Sequence, residues 1–125
     1  MKVLVCGSRN WLAQKVIDRE LRKLPPGTIL VHGACRGADN IAGYVGQHIL
    51  DFDVRPYPVG HHEWKMQGPR AGILRNQRML DCEHTEAEPI DKVLAFHEDP
   101  DLGKGTRDMV ARAEKAGIPY EVFSR

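Results

Sequence analysis

Three short segments combine glycine with charged or hydroxyl side chains: Cys6-Gly7-Ser8-Arg9, the stretch from His32-Gly33 through Arg36-Gly37 to Asp39, and the stretch from His97 to Gly103-Lys104-Gly105-Thr106. Glycine lets backbone N–H groups approach an anion with no Cβ in the way. A helix N-terminus adds roughly half a positive charge, so glycine loops that lead into helices suit phosphate. Arg9, Arg36 and Lys104 can add full charges to the same site. For any one loop, a tight turn that closes strand against helix explains the glycines equally well. Three such loops together shift the balance toward a ligand site. Two familiar phosphate motifs are absent. Gly103-Lys104-Gly105-Thr106 places Gly105 between lysine and threonine, where a P-loop needs Lys followed directly by Ser or Thr. Gly33-Ala34-Cys35-Arg36-Gly37 is not the dinucleotide fingerprint, so hydride transfer with NAD is not expected. No cofactor is expected.

Further side chains carry weaker signals. Arg75, Asn76 and Arg78 fall on one predicted helix, either as a solvated face or with Arg75 and Asn76 turned toward a phosphate or ribose. A guanidinium pairs two oxygens at once, which favours arginine in such a role. His61-His62-Glu63 and Cys82-Glu83-His84 contain metal-ligand types without a second pair at zinc spacing, so they read as surface residues and no metal is expected. His32 and His97 close predicted strands, where they either touch ligand or bond the backbone. Trp64 either stacks on a base or plugs the edge of the core. Cys6 and Cys35 have no activating base in view and read as small hydrophobes.

The elements that must position these groups alternate. Val3–Cys6, Thr28–His32, Phe52–Tyr57, Lys92–Phe96 and Ile118–Phe123 read as strands. Helical stripes lie between them: Leu12, Val16, Ile17, Leu21 and Leu24; Ala38, Ile41, Ala42, Val45 and Ile49; the segment from Ala71 to Cys82; and Thr106, Met109, Val110, Ala113 and Ala116, stopped by Gly117. Val59 to Arg70 has no period and reads as a loop, and Glu83 to Glu88 reads as a solvated connection. The expected fold is α/β, one Rossmann-like domain over residues 1–125 with about five parallel strands flanked by helices. Its ligands belong outside the carboxyl ends of the strands, where the three glycine loops fall.

Composition narrows the function classes. The 125 residues carry 18 Lys and Arg against 17 Asp and Glu, a net charge of +1 that offers no global field for duplex DNA. Three cysteines without CxxC spacing argue for a reducing compartment, and the N-terminal apolar run is too short for a signal or membrane span, so a cytoplasmic protein without membrane contact is expected.

Four blocks together resemble a known family: Val3-Leu4-Val5-Cys6-Gly7-Ser8-Arg9, His32 to Asp39, Gly72-Ile73-Leu74-Arg75-Asn76-Gln77-Arg78-Met79, and Gly103-Lys104-Gly105-Thr106-Arg107-Asp108-Met109. Their order and spacing are similar to the SLOG superfamily of Rossmann-like nucleotide sensors, in its YspA or cpYpsA-related branch. The resemblance implies a site for nucleotides or their derivatives, and a dimer or larger homo-oligomer. By position, Gly103, Gly105 and Thr106 match the phosphate loop, and Arg75 matches an arginine facing the ligand. Related Lonely Guy phosphoribohydrolases keep a glutamate three residues after the motif threonine, where this chain has Met109, with Asp108 one residue earlier. Three functions follow. The first is a nucleotide-binding module using Gly7, Ser8, Arg9, Gly33, Arg36, Gly37, Asp39, Arg75, Asn76, Gly103, Lys104, Gly105 and Thr106. The second is an N-glycosidase acting on nucleoside 5′-monophosphates through Asp108 or Asp39 with Arg75. The third is a single-stranded-DNA accessory protein using Arg9, Arg36, Arg70, Arg75 and Arg78.

Overall fold

The computed structural model describes residues 1–124; Arg125 lies outside the described residues. Lys2–Gly7 forms β1, and every residue from Lys2 to Cys6 is buried, as a strand covered on both faces requires. Strands β2 (Ile29–His32), β3 (Asp53–Pro56), β4 (Lys92–Phe96) and β5 (Tyr120–Phe123) join it in one five-stranded sheet of order β3-β2-β1-β4-β5. All four pairings are parallel, with Val5 opposite His32 on one side and Leu94 on the other.

The helices are α1 (Gln14–Leu21), α2 (Ala38–Tyr44), α3 (His61–Gln67), α4 (Arg70–Glu83) and α5 (Gly103–Lys115). Alternation along β1 divides the core. Val3 and Val5 meet Ile17 and Leu21 of α1 and Ala38 and Ala42 of α2 on one face, whereas Leu4 and Cys6 share the other with Met79 of α4 and Met109 of α5. No helix among the described residues is long and apolar enough to cross a membrane.

The α/β parallel architecture matches the expectation, with four local differences. The first stripe starts from Trp11, which is buried edge-on against Phe96, and not from Leu12, which is 90% exposed. The stripe of α2 runs into a π-helical turn, Val45–Ile49, where Leu50 N–H bonds Val45 O at 3.0 Å and Ile49 turns outward. The presumed loop from Val59 to Arg70 holds α3. None of its seven residues is buried, so it has no apolar period to read, and it starts where Glu63 Oε1 accepts the Gly60 N–H at 3.1 Å. Finally, Glu83 is not solvated. It ends α4 buried, 3.1 Å from the buried ammonium of Lys2 and 2.9 Å from Arg55, and it accepts the Tyr57 hydroxyl proton. These partners hold its carboxyl below the usual range against the opposing effect of burial.

The strand order fixes where a ligand can sit. After β1 the chain steps through β2 to β3 in one direction, then returns through α3 and α4 to β4 on the far side of β1. The loops leaving β1 and β4 therefore diverge and leave a crevice between them, the switch point at which open α/β sheets bind ligands.

Candidate functional site

At this switch point lies a cavity of about 510 Å³, built from the loops after β1, β2 and β4 and from α3, α4 and the start of α5. Its volume is that of a small-molecule site. A second hollow of about 380 Å³ adjoins it across Arg9, Cys35, Trp64 and Arg75, which line both.

Gly7 permits the convergence. A Cβ there would lie 2.1 Å from Phe96 O and 2.7 Å from the Ala38 Cβ, so only glycine lets β1, β4 and α2 meet at this point. Ser8 N–H bonds Phe96 O at 2.9 Å; the Ser8 hydroxyl donates to Glu98 Oε1 at 2.7 Å and accepts the Asn10 N–H. That bond holds the Glu98 carboxyl below its ordinary range. Gly37, at φ +82°, seats the second loop on the first: a Cβ would stand 2.3 Å from Ser8 O, and the following Ala38 N–H bonds that same oxygen at 3.0 Å.

The loop after β2 is closed from inside by Asp39, whose Oδ2 accepts the N–H of Gly33 at 3.0 Å and of Cys35 at 3.5 Å. Burial pushes the Asp39 carboxyl up to about 6, although Arg75 and the two N–H groups oppose the rise. The buried guanidinium of Arg75 donates to Gly33 O, to Tyr57 O at 3.4 Å and to Asn76 Oδ1 at 3.2 Å, and stands 3.8 Å from Cys35 Sγ. Arg75 thereby joins α4 to the loops after β2 and β3 while its face lines both cavities. Asn76 Nδ2 reaches Gly105 O at 3.3 Å and so ties α4 to the start of α5.

The first turn of α5 opens on the main cavity through Gly103, Lys104, Gly105 and Thr106. Its leading N–H groups have no intrahelical partner. The chain enters the helix through two successive left-handed residues, Leu102 at φ +68° and Gly103 at φ +63°. A leucine in that conformation is strained, and such strain concentrates where a backbone is held for a ligand. Apart from its chain neighbours and the helix's own backbone, nothing lies within 4 Å of the space a Gly105 Cβ would fill, so the turn is unobstructed. Cys6, Trp64, Ile73, Met79 and Leu102 give the cavity an apolar wall facing this polar end. Leu102 has no counterpart in the sequence reading, since one leucine among Asp99, Pro100 and Asp101 shows no pattern.

The sequence candidates sort by position. Gly7, Ser8, Arg9, Asp39, Arg75, Asn76, Gly103, Lys104, Gly105 and Thr106 come together on the main cavity. Gly33 and Arg36 line the adjoining hollow, and Gly37 lines neither. Asp108 does not reach the cavity: its Oδ2 accepts from Asn76 at 3.0 Å and from Arg112 at 2.8 Å. Met109 is fully buried against the sheet, and one residue earlier on a helix points about 100° away, toward α4. His32 is buried beside Gly43 with Nδ1 accepting the Ala34 N–H at 2.9 Å, and burial and Arg75 push it down to about 4. It is the backbone-bonded alternative of the two expected. His97 lines the cavity, its Nδ1 accepting the Asp99 N–H at 3.0 Å. Trp64 lines both hollows beneath the Arg9 guanidinium, which sits 5.4 Å from its ring centre. Burial raises the Cys6 thiol far above its ordinary range, leaving it inert. Among the described residues no group of three or more His, Cys, Asp or Glu could hold a metal ion.

A five-stranded parallel sheet of this order, with its cavity at the switch point beside β1, defines a Rossmann-like α/β domain. No protein-family model matches the chain. Within this class the chain belongs to the family of the Gene 61 protein of Mycobacterium phage D29: the two are 36% identical over 130 residues, covering 98% of this chain and 95% of the phage protein.

Proposed function

We propose that the protein binds a nucleotide or a nucleotide-derived phosphorylated small molecule at this crevice, as a sensor or accessory module of the SLOG type. The observation that carries the reading is the start of α5: unpaired N–H groups behind a left-handed Leu102–Gly103 entry, open to a cavity that also presents Lys104, Arg9 and Arg75. None of these three cations has a carboxylate within 4 Å among the described residues, whereas Lys2, Arg55, Arg78 and Arg112 all do. A phosphate supplies the missing charge, and the apolar wall with Trp64 accommodates a base. The proposal extends to a cytoplasmic location, on the cysteine usage, and to a homo-oligomer, as the resemblance implies.

Thermal shift against AMP, ATP, ADP-ribose, NAD and oligo-dT tests it. A ligand at about 100 times its dissociation constant adds roughly 2.7 kcal/mol and raises the midpoint by several degrees. A response to a nucleotide supports the reading; a response to oligo-dT alone replaces it with single-stranded-DNA binding.

Asp39 favours a second reading, N-glycosidic cleavage of a nucleoside monophosphate, because its carboxyl lies on the cavity wall and is held near pH 6, where it can exchange a proton. Release of free base from AMP, lost in Asp39→Asn, is the result that selects it.

A further inference from the structure

The adjoining hollow differs in chemistry from the main cavity. Its charged side chains are Arg9, Arg36 and Arg75, and no carboxylate lines it. Among the described residues none of the three guanidinium groups has a carboxylate within 4 Å. The rest of the wall is the turn Gly33-Ala34-Cys35, bent through a left-handed Ala34 at φ +57°, together with Pro58, Val59 and Trp64. Arg75 is nine-tenths buried and already holds Gly33 O and Tyr57 O, so its charge is fixed in place; no carboxylate of the described residues lies within 4 Å of it, and Asp39 acts on it from farther off. Three arginines, Arg75 buried and Arg9 and Arg36 exposed, thus share the wall of one small hollow, and a phosphoryl group, two of whose oxygens can accept paired N–H bonds from a guanidinium, complements them.

The main cavity contains its own anion position at the start of α5, on a different element from the three arginines. Arg9 over Trp64 stands on the boundary with Cys35 and Arg75, the four residues that line both hollows, so the two adjoin closely enough for one ligand to reach both.

We propose that the ligand carries two separated anionic groups: one phosphoryl group at the first turn of α5 and a second in the Arg9–Arg36–Arg75 hollow. Its class is then a nucleotide phosphorylated at two positions or bridged by a phosphate chain, and not a simple monophosphate. This rests on the nucleotide reading above and narrows it.

Calorimetric titration with AMP, ADP-ribose and adenosine 3′,5′-bisphosphate, at constant ionic strength, tests the inference through a ratio of affinities. The expected result is that at least one of the two probes with two phosphoryl groups binds ten-fold or more tightly than AMP. Arg36→Gln is then expected to bring that ratio toward one, while Lys104→Gln weakens AMP and the two-phosphoryl probe together and leaves the ratio standing. AMP binding with no advantage for either longer probe, or an advantage that survives Arg36→Gln, overturns the inference and leaves the nucleotide reading intact. Absence of binding by all three overturns both.

Discussion

Arg75→Lys keeps a positive charge in the cavity wall but removes the planar fork, and so separates charge from geometry. The guanidinium spans three acceptors on three elements: Gly33 O after β2, Tyr57 O after β3, and Asn76 Oδ1 on α4. An ammonium on a shorter reach can retain one of them. Hydrogen bonds from a charged donor contribute roughly 1.5–3 kcal/mol each, and a carbonyl left buried without a donor costs about 1–3 kcal/mol. The 3.4 Å bond to Tyr57 O is the weakest of the set and belongs at the low end. A loss of about 2–3 kcal/mol follows, which for a domain of this size lowers the melting midpoint by roughly 8–12 °C. Urea unfolding at pH 7 measures it. Arg75→Gln adds an electrostatic signature, because Arg75 opposes the rise of Asp39 and helps to depress His32. With that charge gone, Asp39 climbs above about 6 and His32 rises from about 4 while burial still holds it below 6.5, both visible by NMR titration. A cost below about 0.5 kcal/mol for Arg75→Lys, or identical titrations in the lysine and glutamine variants, refutes the role given to Arg75.

Other perturbations follow from the same geometry. Gly7→Ala places a methyl 2.1 Å from Phe96 O and is expected to cost at least about 3 kcal/mol or to abolish folding, as read by the yield and midpoint of the purified variant. Gly105→Ala meets nothing within 4 Å apart from its chain neighbours and the helix's own backbone and is expected to raise stability by up to about 1 kcal/mol while weakening AMP, since the new methyl stands where a phosphate approaches the backbone. Asp39→Asn tests the buried carboxyl. Asp39 releases its proton near 6 when folded and 3.8 when unfolded, so the native state binds more protons between those values and its stability falls as pH rises through them. The variant is therefore expected to exceed the parent by about 2–3 kcal/mol at pH 8 and to lose most of that margin by pH 4, in paired urea titrations. Asp108→Asn removes a partly exposed pair with Arg112, away from the cavity, and is expected to cost under about 1 kcal/mol with no sudden loss of base release if that activity exists.

The sheet was legible because β1, β2 and β4 are buried on both faces and read as short apolar runs between glycine and polar segments. The strand order and the placement of three glycine loops at one edge follow from the βα alternation once the strands are known. What was not legible depends on contacts between residues far apart in the chain. Helix α3 has no buried side chain and so no period. Glu83 among acidic neighbours looks solvated until Lys2, 81 residues away, donates to its carbonyl. The candidate site was readable where the backbone requires glycine, by close approach to Phe96 O at Gly7 and by a left-handed φ at Gly103, and unreadable where the site depends on rotation about a helix axis. Asp108 and Met109 are neighbours in sequence, yet one pairs with Arg112 and the other packs on the sheet.

The central claim is that the first turn of α5 receives a phosphate. Amide chemical shifts recorded during titration with AMP test it most directly, since they report on each N–H separately. The account predicts saturable shifts at Gly103, Lys104, Gly105 and Thr106, accompanied by the Trp64 indole and not by the edge strand β5. Saturation with those four amides unmoved contradicts it.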